Sequence, residues 1–278
     1  MTDTGAATAV FASYNIHKCV GVDRRFDPDR VARVIAEIGA DVIALQEADR
    51  RFGDRAGLLD LAEIERTAGL VPVKVTNRHS GHGWHGNLVL VREGAVRDLR
   101  QIRLPGLEPR GALVVDVDLT SGPVRVVAAH LGLLRHSRLL QVEALLEHSG
   151  ETTDRPVVLM GDMNEWRLRR RSALVGFHAV FGPLGTGVPS FPAYFPVLAL
   201  DRVLVRPQGL LHGLAAHETP LSKLASDHLP VRAVVRLDQA GVEAAPPAAP
   251  RPKRRPAERR LLARPFGRRA ASDERAGA

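Results

Sequence analysis

Several oxygen- and nitrogen-bearing side chains of this 278-residue chain stand at the ends of short apolar runs, where α/β proteins usually keep their chemistry. The run AVFASY ends at Asn15, DVIALQ at Glu47, VRVVAA at His130, PVVLMG at Asp162 and FPVLAL at Asp201. Asn164 follows Asp162 by two residues, and Ser226, Asp227 and His228 lead into the last apolar run. One such residue is ordinarily a turn former, but the repetition of one placement implies a shared rim. The inventory is four carboxylates, two amides and two histidines. Hard oxygen donors of this kind suit Mg²⁺ or Mn²⁺ better than zinc. The single cysteine, Cys19, excludes an intrachain disulfide and a cysteine-based zinc cluster.

The elements that must position these groups read as short strands alternating with amphipathic helices. Val10–Asn15, Asp41–Glu47, Leu88–Val91, Leu113–Leu119, Val124–His130, Pro156–Asp162, Leu200–Val205 and Val231–Leu237 have the length and β-branched content of strands. One helix is well signalled: Asp27 can cap it, Pro28 suits its first turn, and Val31, Val34, Ile35 and Ile38 form one stripe before Gly39. A second helix is expected over Arg135–His148, burying Leu139, Val142, Leu145 and Leu146, and a third around Leu58–Ala68. Many strands with few helices indicate an α/β protein with mixed sheets rather than a doubly wound parallel sheet.

The segments YNIHK, ALQEAD, AAHLG, LMGDMNEW, LDRVLV and SDHLPV, in that order over residues 8–237, closely resemble the endonuclease/exonuclease/phosphatase superfamily, the DNase-I-like fold. GDMN or SDH alone is short; the ordered set of six carries the resemblance. It implies a four-layer α/β sandwich, two central mixed β-sheets flanked by helices, that hydrolyses phosphoric esters with a divalent metal. By the same resemblance Glu47 is the principal metal ligand, with Asn15 beside it and Asp227 a second-metal or water-linked ligand. Asp162 would orient or deprotonate the attacking water, and Asn164 would bind a non-bridging oxygen. His228 matches the family's terminal histidine and Asp201 its carboxylate partner, while His130 matches a second histidine that contacts phosphate or protonates the leaving group. Asn87, in a Gly-Asn-hydrophobic element, and Arg110, in Arg-Gly-Ala-Leu, are substrate- or phosphate-binding candidates; a structural ion pair is the competing expectation for Arg110.

Two stretches depart from that pattern. Many members carry an acid or a second amide two places after the first-strand asparagine, and here that position is His17. His79, His82 and His85 are spaced as zinc ligands on a helix would be, but Gly81, Gly83 and Gly86 argue against a helix to present them.

A composition of 45% hydrophobic and 25% charged residues excludes a wholly disordered or fibrous chain. The net charge of +8 is unevenly placed: residues 239–278 hold ten Lys/Arg and four Asp/Glu, so +6 belongs to them and +2 to the rest. Residues 1–7 are expected to be a flexible N-terminus, residues 8–238 the catalytic domain, and residues 239–278 a disordered Ala/Pro/Arg-rich basic tail that either contacts polyanions or serves as a passive solubilising segment. No run is long and apolar enough to span a membrane and no secretory leader is evident, so a cytoplasmic monomer is expected. By the resemblance the leading expectation is a phosphodiesterase of the endonuclease/exonuclease kind; the alternatives are a lipid- or inositol-phosphate-directed phosphodiesterase or phosphatase acting at an anionic membrane, and an inactive binding module on the same fold. Only twelve aromatics stand among 278 residues, too few for interleaved single-strand stacking platforms.

Overall fold

The computed structural model describes residues 8–50, 53–76, 81–149, 153–167 and 169–238. The expected N-terminus and basic tail, and His79 of the histidine-rich stretch, lie outside them.

Two sheets stack face to face. The first has the order β10-β11-β1-β2-β4-β3 and the second β5-β6-β7-β8-β9. Their strands are β1 (Thr8–Asn15), β2 (Val42–Gln46), β3 (Val71–Pro72), β4 (Leu88–Val91), β5 (Ala95–Leu104), β6 (Arg110–Leu119), β7 (Gly122–His130), β8 (Val157–Asp162), β9 (Asp201–Arg206), β10 (Leu211–Ala216) and β11 (Val231–Arg236). The helices are α1 (Pro28–Ile38), α2 (Leu61–Ala68), α3 (Arg135–Ser149), α4 (His178–Phe181) and α5 (Pro220–Ala225). Phe11, Val89, Val115, Val126 and Met160 belong to the apolar layer shared by the two sheets. The outer face of the first sheet, with Tyr14, Ile43 and Leu88, packs on α1 and α2. The outer face of the second, with Val127 and Leu159, packs on α3. Central strands are thus covered on both faces, which is why they read as unbroken apolar runs. The result is the α/β sandwich of two mixed sheets with flanking helices.

The topology explains why the polar residues share one rim. Each sheet contains one parallel pair, β1 with β2 and β7 with β8, and each pair is joined by a helix, α1 or α3. Parallel strands end at the same edge, so Asn15 and Glu47 emerge beside one another, as do His130 and Asp162. The remaining pairings are antiparallel, so β4, β6, β9 and β11 begin where those strands end. Asn87, Arg110, Asp201 and His228 therefore arrive at that same edge.

Helix α1 forms as its sequence indicates. The Asp27 carboxylate accepts from the Arg30 amide at 2.8 Å, Gly39 ends the helix at φ 61°, and Val31, Val34, Ile35 and Ile38 are buried. Each such apolar side chain contributes about 1.5–3 kcal/mol. Helix α3 differs from expectation: Val142 and Leu145 are buried, but Leu139 and Leu146 are only partly so, and Ser137, Arg138 and Gln141 take the inward positions. The reason is the loop beneath. Arg138 donates to the carbonyls of Gly132 and Leu133, while Gln141 accepts from the Gly132 amide and donates to the Pro105 carbonyl. Arg138 also faces Glu165 at 3.4 Å, and both side chains are buried. Glu165→Ala leaves that guanidinium uncompensated and should cost about 3–5 kcal/mol, read as a lowered midpoint in urea unfolding. A Glu165→Ala variant as stable as wild type would show that the pair contributes little.

Strands β3, β5 and β10 escape the sequence reading: all three are sheet edges that are partly exposed, whereas the fourth edge, β9, is mostly buried and reads as a strand. The outer half of β5, AVRDLRQIRL, faces solvent and carries charges, as edges do.

Candidate active site

Asp162 is the centre of the rim. It ends β8 directly after Gly161, where a Cβ would lie 1.7 Å from the Ala129 carbonyl oxygen, so only glycine lets β8 lie this close to β7. One carboxylate oxygen, Oδ2, accepts from Asn15 Nδ2 at 3.0 Å and lies 3.5 Å from His130 Nε2 and 3.8 Å from His228 Nε2. The other accepts from the backbone amide of Asn164 at 2.9 Å. The Asn15 contact joins the first sheet to the second across 147 residues of chain.

Behind His228 the chain of partners continues. Its Nδ1 lies 2.8 Å from Asp201 Oδ2, which also accepts from Ser190 Oγ at 2.6 Å. The Phe191 ring packs on the imidazole at 4.9 Å, and His228, Asp201 and Ser190 are all buried. Burial alone would disfavour the imidazolium, but Asp201, with Asp162 and Asp227, outweighs it and pushes the His228 pKa up to about 10. Asp201 thus lies within hydrogen-bond distance of the ring nitrogen facing it and favours the charged imidazole.

Glu47 stands apart from this buried group. The expected strand Asp41–Glu47 stops at Gln46, and Glu47 turns out of it at φ 56°. His17, Lys18 and Cys19 also take positive φ values (43°, 54° and 60°), turning the chain sharply after Asn15. Left-handed backbone at non-glycine residues costs on the order of 1–3 kcal/mol and gathers where geometry serves a site. Here it brings the Lys18 ammonium onto the Glu47 carboxylate. Asp227 lies on the same side, next to Ser226, whose hydroxyl donates to the Asn15 carbonyl at 2.7 Å. His17 directs Nδ1 to the Val20 carbonyl at 3.0 Å and lies 3.7 Å from Asp227.

Three further candidates have at least one polar group engaged by the protein. Asn164 donates through Nδ2 to the Leu131 carbonyl at 2.9 Å, which fixes the amide and engages one of its two N–H donors. Asn87 is buried at the start of β4 and donates through Nδ2 to the Gly111 carbonyl, leaving Oδ1 without a partner. Arg110 pairs with Glu108 at 2.9 Å and lines a cavity with Lys18, Glu47, Arg55, His85 and His130. Residues 81–87 of the histidine-rich stretch form a tight turn closed by Trp84 and Asn87, not a helix. Ser190, Lys18 and Glu165 were not anticipated. Glu165 sits inside the GDMNEW segment and could have been, but no local pattern marks Ser190.

Two places offer donors for a cation. Asp162, Asp201 and His228 present atoms within 4.8 Å of one another, but Asp201 already accepts from Ser190 and faces His228. Glu47 and Asp227 are more open, with side chains 22% and 35% exposed, and Glu47 already faces a cation in Lys18. The Asn15 amide oxygen accepts from the His17 backbone amide at 3.0 Å; oxygen donors of this kind suit a hard divalent ion.

The family model for the endonuclease/exonuclease/phosphatase family matches residues 12–228, from within β1 to His228 itself. The chain belongs to that family. It is 29% identical over 243 residues to the uncharacterized protein YbhP of Escherichia coli (strain K12), covering 80% of this chain and 94% of that protein. Its fold resembles the endonuclease/exonuclease/phosphatase of Beutenbergia cavernae DSM 12333, with a TM-score of 0.60 and 23% identity over 83% of this chain and 72% of the other. It also resembles D. rerio TDP2 complexed with a single-strand DNA product, with a TM-score of 0.57 and 15% identity over 82% and 98%. Membership in this family makes phosphate-ester hydrolysis the general activity. Among the described residues no helix is long and apolar enough to cross a membrane.

Proposed function

We propose that the protein is a divalent-metal-dependent phosphodiesterase. The observation that carries this reading is the buried sequence Ser190–Asp201–His228–Asp162, which delivers an oriented imidazole and a carboxylate to one point at the sheet rim. Asp162 would hold the attacking water and accept its proton as the water oxygen bonds to phosphorus. His228, kept in its charged form by Asp201, would offset the charge gathering on the phosphoryl oxygens. His130, on the other side of Asp162, would supply the proton taken by the departing ester oxygen. The products are a phosphate monoester and an alcohol. Glu47, Asp227 and Asn15 would hold Mg²⁺ or Mn²⁺, which when bound polarises the phosphoryl group and stabilises the leaving oxygen.

The fold likeness to TDP2 with its DNA product supports a diesterase of the endonuclease/exonuclease kind. A lipid phosphodiester is the second reading, favoured by the apolar side chains exposed beside the site. The core reading is tested with soluble esters. The purified chain with Mg²⁺ or Mn²⁺ should release nitrophenol from bis(4-nitrophenyl) phosphate faster than from 4-nitrophenyl phosphate. Hydrolysis of neither, with either metal, rejects the proposal.

A further inference from the structure

Among the described residues, fourteen large apolar side chains are exposed, and nine of them stand on the loops at the site end of the sheets. Only Val71 and Val96 stand at the opposite end. The most exposed are Leu107 (84%), Tyr194 (70%), Phe195 (67%) and Leu133 (62%), with Phe26 and Trp166 about half exposed. They flank the catalytic groups on two sides. The Leu133 amide donates to Glu108, beside Leu107, next to the ends of β7 and β8. Across the site, Ala193, just before Tyr194 and Phe195, donates its amide to the Asp227 carbonyl. Exposed apolar surface gathered round one site marks what that site meets.

The charges beside these residues indicate what it is. Arg24 and Arg25 are exposed just before Phe26, and Arg135 is exposed just after Leu133 and Leu134. The Arg167 guanidinium lies 4.7 Å over the Trp166 ring. Apolar tips with arginines beside them match a bilayer surface, where the tips enter the acyl boundary and the guanidinium groups stay among the headgroup phosphates. Phe26, Trp166, Tyr194 and Phe195 offer ring faces on which bases could stack, but Leu107, Leu133, Leu134, Val22 and Val197 offer none, and an acyl boundary takes both kinds.

Resting on the phosphodiesterase reading for its chemistry, we infer that the site end of this protein docks on an anionic phospholipid surface, which selects the second reading above, a phospholipid phosphodiester, over a nucleic acid as its substrate class. The docked face would hold the Asp162–His228 group at the level of the headgroups.

The test uses the full chain and a variant combining Leu107→Ser, Leu133→Ser, Tyr194→Ser and Phe195→Ser, all at exposed positions outside the catalytic groups. Both are sedimented with phosphatidylglycerol/phosphatidylcholine vesicles at about 0.5 M NaCl, where the attraction of the basic C-terminal residues is screened. Wild-type protein should sediment, and the variant's partition should fall by ~10-fold or more, since each lost apolar side chain removes several buried carbons. Turnover of bis(4-nitrophenyl) phosphate should be equal in the two, while release of the phosphatidylglycerol headgroup falls with partition. Equal partition of wild type and variant overturns the inference. So does a fall in binding to a single-stranded oligonucleotide with no fall in vesicle partition. Wild-type protein that sediments but hydrolyses no soluble diester would support the docking and refute the catalytic reading.

Discussion

Asp162→Asn and His228→Ala should each lower turnover of a soluble phosphodiester by ~10²-fold or more, the usual loss when a general acid–base group is removed. The reasons differ. Asparagine in place of Asp162 keeps the shape but cannot accept a proton from water, and it removes a negative charge lying 3.5 Å from one histidine and 3.8 Å from another. Alanine at 228 removes the ring and leaves buried Asp201 with Ser190. Asp201→Asn should lose activity in the same way, because the amide no longer favours the imidazolium or fixes its tautomer. The decisive measurement is the double variant of Asp201 and His228. Groups that act as one unit lose little more together than singly. Fully additive losses would separate Asp201 from His228 in catalysis, and thermal unfolding of each variant shows whether lost turnover is merely lost fold.

Metal removal should abolish activity altogether, and Glu47→Gln should reproduce much of that loss at limiting metal. Glutamine keeps the oxygen but not the charge, so the proposed donor set of Glu47, Asp227 and Asn15 would become less negative and bind a divalent ion more weakly. The expected pattern is a rate recovered by raising Mg²⁺ or Mn²⁺, which Asp162→Asn would not show. The fold should be untouched, since the Glu47 side chain is partly exposed. Loss of rate on chelation followed by recovery on adding Mg²⁺ fits this arrangement. Full turnover after exhaustive metal removal would refute a metal-dependent reaction, and an unchanged metal requirement in Glu47→Gln would move the ion elsewhere, with the Asp162, Asp201 and His228 group next in line.

Much of the frame is written locally. Helix α1 could be drawn from Asp27, Pro28, Gly39 and four apolar positions, because capping and a 3.6-residue period are short-range properties. The central strands could be drawn because they are buried on both faces and so unbroken in hydrophobicity. Their polar ends could be read as one rim because each interrupts such a run. Edge strands β5 and β10 could not, since half of each faces water and its pattern resembles that of a loop.

What the tertiary structure alone decided is who meets whom. Asp201 and His228 are 27 residues apart, Lys18 and Glu47 29, and Asn15 and Asp162 147, and no periodicity encodes those distances. Ser190 became a partner of Asp201 only when its loop folded back over β9, and Arg138 turned inward because the carbonyls of Gly132 and Leu133 lay beneath it. The sequence by itself determined which groups stand at strand ends, because side-chain type and hydrophobic runs are local. Their pairing depended on two parallel strand pairs stacking with their ends together, a long-range packing of buried faces that no short segment contains.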